Sequence, residues 1–334
     1  MSELLEPSVI TPKPDAVLPD DIPVDVDAAE GLVESISPGR MALKRFLNHK
    51  AAVVFGVIFL IIVLAVIFAP WTARYPENFV VKKDDGGNMI TAAPNAKAWF
   101  GTNSKAFDLY SQIIWGGRVS LFIGMMVALC ASLVGTIVGS IAGFKGGKLD
   151  DILMRVTDLF LAFPTIVLLL VLRNLFDNVE ALSWLFGDLK SVRFMVVLLV
   201  SITWMAVARI VRGVVLSLRE REFVEAAVAL GSSSKRIVFR HLIPNSIGPI
   251  IVALTTSVVG AIVAESTLSF FGYGIDPVTR TSWGTLLADS KGGVISGYWW
   301  LVVFPAGVFV LTILCINFMG DALRDAFDPK QAVN

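Results

Sequence analysis

"EFVEAAVALGSSSKRIVFRHLIPN", Glu222 to Asn245, is a charged stretch with helical patterning and a single break at Gly231. It stands between two apolar runs, roughly 194–216 and 247–271, each long enough to cross a bilayer. A few turn residues would suffice to join two spans, so an ordered two-piece segment calls for a reason. From Glu220 to Leu230 the residues favour helix, and Phe223, Ala227 and Leu230 recur at i, i+4 and i+7 on one face. Ala226 and Ala227 are small enough to let another backbone come close. Gly231 suits a helix C-cap, because glycine takes the left-handed conformation without penalty. Ser232 is placed to cap a second short helix carrying Lys235, Arg236 and Arg240, and Pro244 is expected to stop it. The expected product is a rigid knob leading directly into the next span. Its rival is an amphipathic helix lying on the lipid surface.

The rest of the chain fits a membrane setting. Of its 334 residues 55% are hydrophobic and mean hydropathy is +0.73, values usual for a polytopic membrane protein and rare in soluble domains. Lys+Arg and Asp+Glu both number 28, so net charge gives no reason to expect a nucleic-acid partner. Cys130 and Cys315 sit inside apolar runs, which argues against a disulfide framework or a metal site. Residues 1–40 hold nine acidic residues and six prolines with no aromatics, and read as a disordered acidic arm. Six apolar segments follow, at about 51–69, 119–143, 156–176, 194–216, 247–271 and 298–319. The third is interrupted by Asp158, Pro164 and Arg173, and Pro164 is expected to kink the helix without ending it. The expected organisation is an all-α, six-span protein: the arm 1–40, a first span with a long loop over 41–118, a five-helix core over 119–320 containing the loop 217–246, and a tail 321–334.

Basic residues set the orientation. Fifteen Lys and Arg fall on the side of the termini and the opening stretch, against four in the short loops opposite. Both termini are therefore expected in the cytoplasm and the loop 70–118 outside. Gly135, Gly139 and Gly143 make a flat stripe for close helix packing. Trp71, Trp99, Trp115, Trp283, Trp299 and Trp300 gather at the outer side and suit an interfacial belt. Asp158 and Glu265 lie within expected spans; each is expected to bond a backbone group or an Arg, the alternative being an ion path. Arg173, Arg209 and Arg212 lie near span ends, within reach of headgroups.

Glu225-Ala226-Ala227, three residues, Gly231 and a motif ending at Pro244 resemble the EAA loop of ABC importer permeases. His241 departs from the general form, but "RHLIPN" is similar to the dipeptide/oligopeptide/nickel branch. "AESTLSFFGYGIDPVTRTSWGTLLADS" (Ala264–Ser290), "GDALRDAFDPK" (Gly320–Lys330) and "WGGRVSL" (Trp115–Leu121) resemble the same branch, at its C-type subunit. "GTNSKAFD" (Gly101–Asp108) departs from it: the branch usually has Gly-Thr-Asp, two residues, Gly-Arg-Asp, and Asn103, Ala106 and Phe107 stand here instead.

The resemblance implies the type I importer permease architecture. It implies a B-type permease partner, two ATP-binding subunits, an external substrate-binding protein and a lipid setting in the cell membrane. ATP and Mg would sit on the partner ATPases, with no cofactor or catalytic residue in this chain. Phe223, Glu225, Ala226, Ala227, Gly231, Lys235, Arg236, His241 and Pro244 would form the ATPase-coupling loop. Phe271, Gly272, Gly274, Asp276 and Trp283 would form an external gate or a contact for the binding protein. The resemblance does not select the solute.

Two other classes were open to the same composition. An ATPase would need a phosphate-binding loop, and "GFKGGK" (Gly143–Lys148) lacks the glycine spacing and the Ser or Thr after Lys148. A proton-coupled carrier or channel would use Asp158 or Glu265, but has no need of an EAA-like loop. His49 and His241 lie at span ends, away from any intramembrane catalytic pair.

Overall fold

The computed structural model describes residues 38–177, 191–276 and 279–327. Most of the acidic arm, and the last residues of the tail, lie outside them. Helix α1 begins at Pro38, inside the stretch read as the arm, and runs to Asn48. Proline suits a helix start, since its missing N–H would be unpaired there anyway. His49 caps α2 (Lys50–Ile67), its Nδ1 accepting from the Ala52 amide at 3.2 Å. The turn α3 (Ala69–Thr72) leads into the loop 73–108. Asp108 then caps the 37-residue α4 (Leu109–Lys145) by accepting from the Ser111 amide at 2.9 Å.

The expected third span is not one helix. It is α5 (Gly147–Leu161) and α6 (Thr165–Asp177), bent 95° apart. Pro164 ends the first helix where a kink was expected. Its ring disfavours helix at Phe163 and it offers no N–H, and here no neighbouring turn re-forms the ladder. Four further long helices follow: α7 (Val192–Arg219), α11 (Ile247–Phe270), α12 (Trp283–Ile295) and α13 (Trp300–Phe327). The segment between α7 and α11 holds α8 (Glu222–Ala229), α9 (Ser234–Ile237), a π turn (Val238–Leu242) and α10 (Ile243–Asn245). Among the described residues five helices are long and apolar enough to cross a membrane, or six if the bent pair is counted as one broken span. The last helix runs on to Phe327, past the expected end of its span, and Arg45 of α1 donates to the Ala326 carbonyl at 3.4 Å.

The glycine stripe does what its spacing predicts. A methyl at Gly135 would sit 2.6 Å from Val207 Cβ, one at Gly143 would sit 2.9 Å from the Arg212 carbonyl oxygen, and one at Gly139 would run into the Ala208 carbonyl. Backbone therefore meets backbone along α4 and α7. Above this contact, Ile123, Val127, Leu198, Leu199 and Ala261 form a buried core between α4, α7 and α11.

Of the three arginines expected at headgroups, Arg173 and Arg212 turn into the protein, and Arg209 stays exposed but is paired. Arg212 grips Asp150 of α5, Arg209 pairs with Asp158, and Arg173 is buried with its guanidinium 5.0 Å from the Phe194 ring. The belt reading also fails for two tryptophans. Trp283 and Trp300 are buried, and their indole N–H groups donate to the carbonyls of Ile113 (2.9 Å) and Thr102 (3.4 Å). A buried indole needs such an acceptor, and the loop and α4 provide it. Trp71, Trp99 and Trp299 are exposed.

Candidate functional site

The segment 222–245 folds as a knob at the end of the bundle that carries α1. Arg221 has extended backbone, α8 follows, and the chain reverses at Gly231 with φ +75°. The Gly231 amide donates to the Val228 carbonyl at 2.9 Å, and the Ser232 amide to Ala227 at 3.0 Å. These two bonds complete a Schellman motif, as the left-handed glycine requires. Ser233, not Ser232, caps the next helix: its Oγ accepts from the Arg236 amide at 3.4 Å, while the Ser232 amide is already used in closing the Schellman motif.

Pro244 does not stop that helix. The chain passes through the π turn, where the Ile243 amide bonds the Val238 carbonyl, and Ile243 stays helical before the proline. The wider turn holds the ring away from the preceding turn's carbonyls, which an α-helix cannot do. There is no gap after it either: the Ser246 amide donates to the Leu242 and Ile243 carbonyls, both at 3.0 Å, and α11 continues from there.

The buried side of the knob is Val224, Ala227, Ile237, Val238 and Leu242, packed on Val207, Val211 and Val215 of α7 and Ala253 of α11. The face expected from Phe223, Ala227 and Leu230 is therefore split. Only Ala227 points inward, while Phe223 and Leu230 are exposed, as are Val228 and Phe239. Pattern alone favoured the i, i+4, i+7 set, but Val224 with Ala227 at i, i+3 was the signal for the inward face. Glu225, Ala226, Lys235, Arg236 and Pro244 are also exposed, and His241 is half-buried.

At the opposite end, the loop 73–108 is laid over the tops of α4, α12 and α13. Trp115 donates to the Tyr75 carbonyl at 3.1 Å, the Tyr75 amide donates to Ser111 Oγ at 3.0 Å, and Phe100 stacks on Phe304 with ring centres 4.0 Å apart. The departures in "GTNSKAFD" have local roles: Asn103 Oδ1 accepts from the Lys105 and Phe107 amides at 3.0 and 2.9 Å, and Ala106 takes the left-handed φ of +60°.

After α11 the chain turns at Gly272 (φ +86°), and α12 starts behind a Ser282 capping box. Phe271 and Gly272 are exposed, Asp276 is half-buried, and Gly274 is packed on Ser269. Trp283 lies beneath this surface with no exposure, so the expected contact with another protein does not fit it. Asp158 pairs with Arg209, as expected of a structural acid. Glu265 differs: its partners are hydroxyls, from Ser120, Ser266, Ser269 and Ser282. No sequence pattern pointed to these serines, which lie on three elements. Among the described residues no group of His, Cys, Asp and Glu is placed to hold a metal ion.

Spanning helices joined by a rigid knob at one end, with a layered loop and a capped helix at the other, define the membrane subunit of a transporter. A family model described as "Binding-protein-dependent transport system inner membrane component" matches residues 135–333, and one described as "N-terminal TM domain of oligopeptide transport permease C" matches residues 37–94. The chain belongs to this family of binding-protein-dependent permeases. It is 38% identical over 301 residues to the oligopeptide transport system permease protein OppC of Escherichia coli K12, covering 89% of this chain and 93% of that one. It is 36% identical to OppC of Bacillus subtilis (91% and 93% covered) and 35% identical to the dipeptide transport system permease protein DppC of the same organism (89% and 87% covered). The fold is similar to a chain of the MetNI methionine ABC transporter in an inward-facing conformation. The TM-score is 0.53 at 18% identity, covering 65% of this chain and 96% of that one. The protein is thus a multi-pass inner-membrane permease of an ABC importer, a transport subunit and not an enzyme.

Proposed function

We propose that the chain is the C-type half of a heterodimeric pathway for oligopeptides or similar small solutes, and that the knob 222–245 docks one of two ATP-binding subunits. The peptide reading is supported by the names of the relatives. The coupling reading is carried by one observation: four exposed apolar side chains, Phe223, Val228, Leu230 and Phe239, belong to a segment whose other side, its base, is packed into two spanning helices. A lipid-surface helix needs no such base, whereas a lever does. ATP and Mg act on the partner subunits, whose closure moves the knob and with it α7 and α11. Differential contact with two states of those partners shifts the permease between its own two states. The knob and both termini face the cytoplasm, as the fifteen-to-four split of basic residues supports. The opposite surface, with Phe271, Gly272 and Asp276, receives the external binding protein.

Gly231→Val tests this. No side chain crowds Gly231, so the effect is confined to the backbone, at about 1–3 kcal/mol for a β-branched residue held at φ +75°. Misaimed α8 should cut ATPase co-purification or solute-stimulated ATP hydrolysis sharply while the spans insert normally. Glu225→Lys should weaken docking through charge alone. Wild-type values for both variants, stably inserted, would refute the coupling role. A label at Gly86 reacting only from the cytoplasmic side would invert the orientation.

A further inference from the structure

Glu265 lies near the end of α11 remote from the knob and has no exposure. Its Oε1 accepts from Ser282 Oγ at 2.7 Å and Ser269 Oγ at 2.9 Å; its Oε2 accepts from Ser266 Oγ at 3.4 Å and Ser120 Oγ at 3.5 Å. In each of these contacts the serine O–H donates and a Glu265 oxygen accepts. That leaves the serine lone pairs for other donors, and two are used at once. Ser282 Oγ accepts from the Thr285 amide at 3.1 Å, and Ser120 Oγ from the Trp283 amide at 3.0 Å. Both amides belong to the first turn of α12, whose N–H groups have no partners within the helix. Glu265 on α11 thus orients the hydroxyls that hold the start of α12, one of them from α4.

The same junction is closed by packing. A methyl at Gly284 would sit 2.7 Å from Ser266 Cα and 2.9 Å from Ser269 Cβ, so α12 rests directly on α11. At the other end of α11, Ala253 packs in the base of the knob. The 24 residues of α11 make a rod of about 36 Å, and the 12 residues from Ala253 to Glu265 separate the two junctions by about 18 Å.

We infer that Glu265 is a positioning residue that fastens α12 to α11, so that knob, rod and α12 move as one body through the transport cycle. This rests on the coupling role proposed for the knob.

The test uses the assembled importer in proteoliposomes, with Cys130 and Cys315 replaced by Ala and spin labels at Arg240 and Ile295. Both positions are exposed, one on the knob outside the apolar side chains assigned to docking and one at the far end of α12. The distance between the labels should be single and narrow, and the same in the nucleotide-free and the ATP–vanadate state. Glu265→Ala should broaden it. The same variant should lower the ATPase stimulation by binding protein loaded from a casein digest at least about tenfold, while basal hydrolysis and ATPase co-purification stay intact. Glu265→Gln, whose amide oxygen still accepts from Ser282 and Ser269, should stay close to wild type. Ser282→Ala removes one donor and should broaden the distance even where Glu265→Ala fails to assemble. A wild-type distance that changes between the two states, or one as narrow in both variants as in wild type, overturns the proposal. Failure of the coupling role would appear separately, as undiminished ATPase binding and stimulation in Gly231→Val.

Discussion

Arg212 of α7 holds Asp150 of α5 through two parallel bonds of 2.5 Å, Nε to Oδ1 and Nη2 to Oδ2. Two turns further along α5, Arg209 meets Asp158 in a pair that is largely exposed on both sides. The two pairs should differ in worth. Asp150 is buried, so Arg212→Ala strands a carboxylate and should cost about 3 kcal/mol. Arg209→Ala should cost about 1 kcal/mol or less. Arg212→Lys should recover only part of the loss, since an ammonium cannot replace the fork. Fluorescence-detected thermal unfolding of the purified protein would rank the three; equal losses for Arg212→Ala and Arg209→Ala would contradict the difference in burial.

Close approach of α4 and α7 makes a second contrast. Gly139→Ala forces a methyl against the Ala208 carbonyl, and backbone cannot yield as a side chain can, so a loss of about 1–3 kcal/mol is expected. Gly260→Ala meets nothing within 4 Å and should be neutral or slightly stabilising, because alanine favours helix. Unfolding midpoints that shift alike would show the helices able to separate at little cost.

Ala106 should be improvable. It is fully buried at φ +60°, where a Cβ costs roughly 1 kcal/mol or more, and its amide and carbonyl are both bonded, to the Asn103 carbonyl and the Val81 amide. Ala106→Gly relieves the strain without losing a bond. It should raise the unfolding midpoint and slow amide exchange in the loop 73–108. A fall in stability would mean that methyl packing outweighs the backbone cost.

Asp108 predicts a pH dependence. Burial pushes its carboxyl above the ordinary 3.8, opposed by the Ser111 side-chain and backbone bonds and by the Arg74 guanidinium. With the folded value raised, the protonated form is the one the fold favours. Its stabilising effect is complete below the unfolded value and is lost as pH rises through the folded one. Asp108→Asn keeps a capping oxygen without the charge, so its stability relative to wild type should improve between acid and neutral pH. Asp108→Ala removes the cap and should cost about 1 kcal/mol throughout. A wild-type-to-Asn difference that is flat with pH would exclude the shift.

Where the sequence was legible, local rules decided the outcome. Gly231 had to turn the chain because a glycine followed by Ser232, Ser233 and Ser234 favours caps and turns over further helix, and the glycine stripe of α4 had to meet another backbone because its spacing leaves no side chains there. Most of the failures required a neighbour. Trp283 and Trp300 read as belt residues until the loop 73–108 and α4 supply carbonyls for their indoles. Pro164 and Pro244 look alike in sequence, yet one ends a helix and the other is carried through by a π turn whose Val238 and Leu242 are packed in the base of the knob. Glu265 gave its acidity away but not its four serines, which are separated by up to 162 positions along the chain.

That π turn also buffers chain length. Its i→i+5 bond, from the Ile243 amide to the Val238 carbonyl, accommodates one residue more than an α-turn would. Deleting a residue between Val238 and Leu242 would therefore close an ordinary turn and leave the helix beyond it nearly in phase. The same deletion inside the regular part of α11, ahead of Glu265, would rotate Glu265 by about 100° with a shift of about 1.5 Å, and turn it away from Ser120. A change of length is thus absorbed in the knob and transmitted in full by the rod.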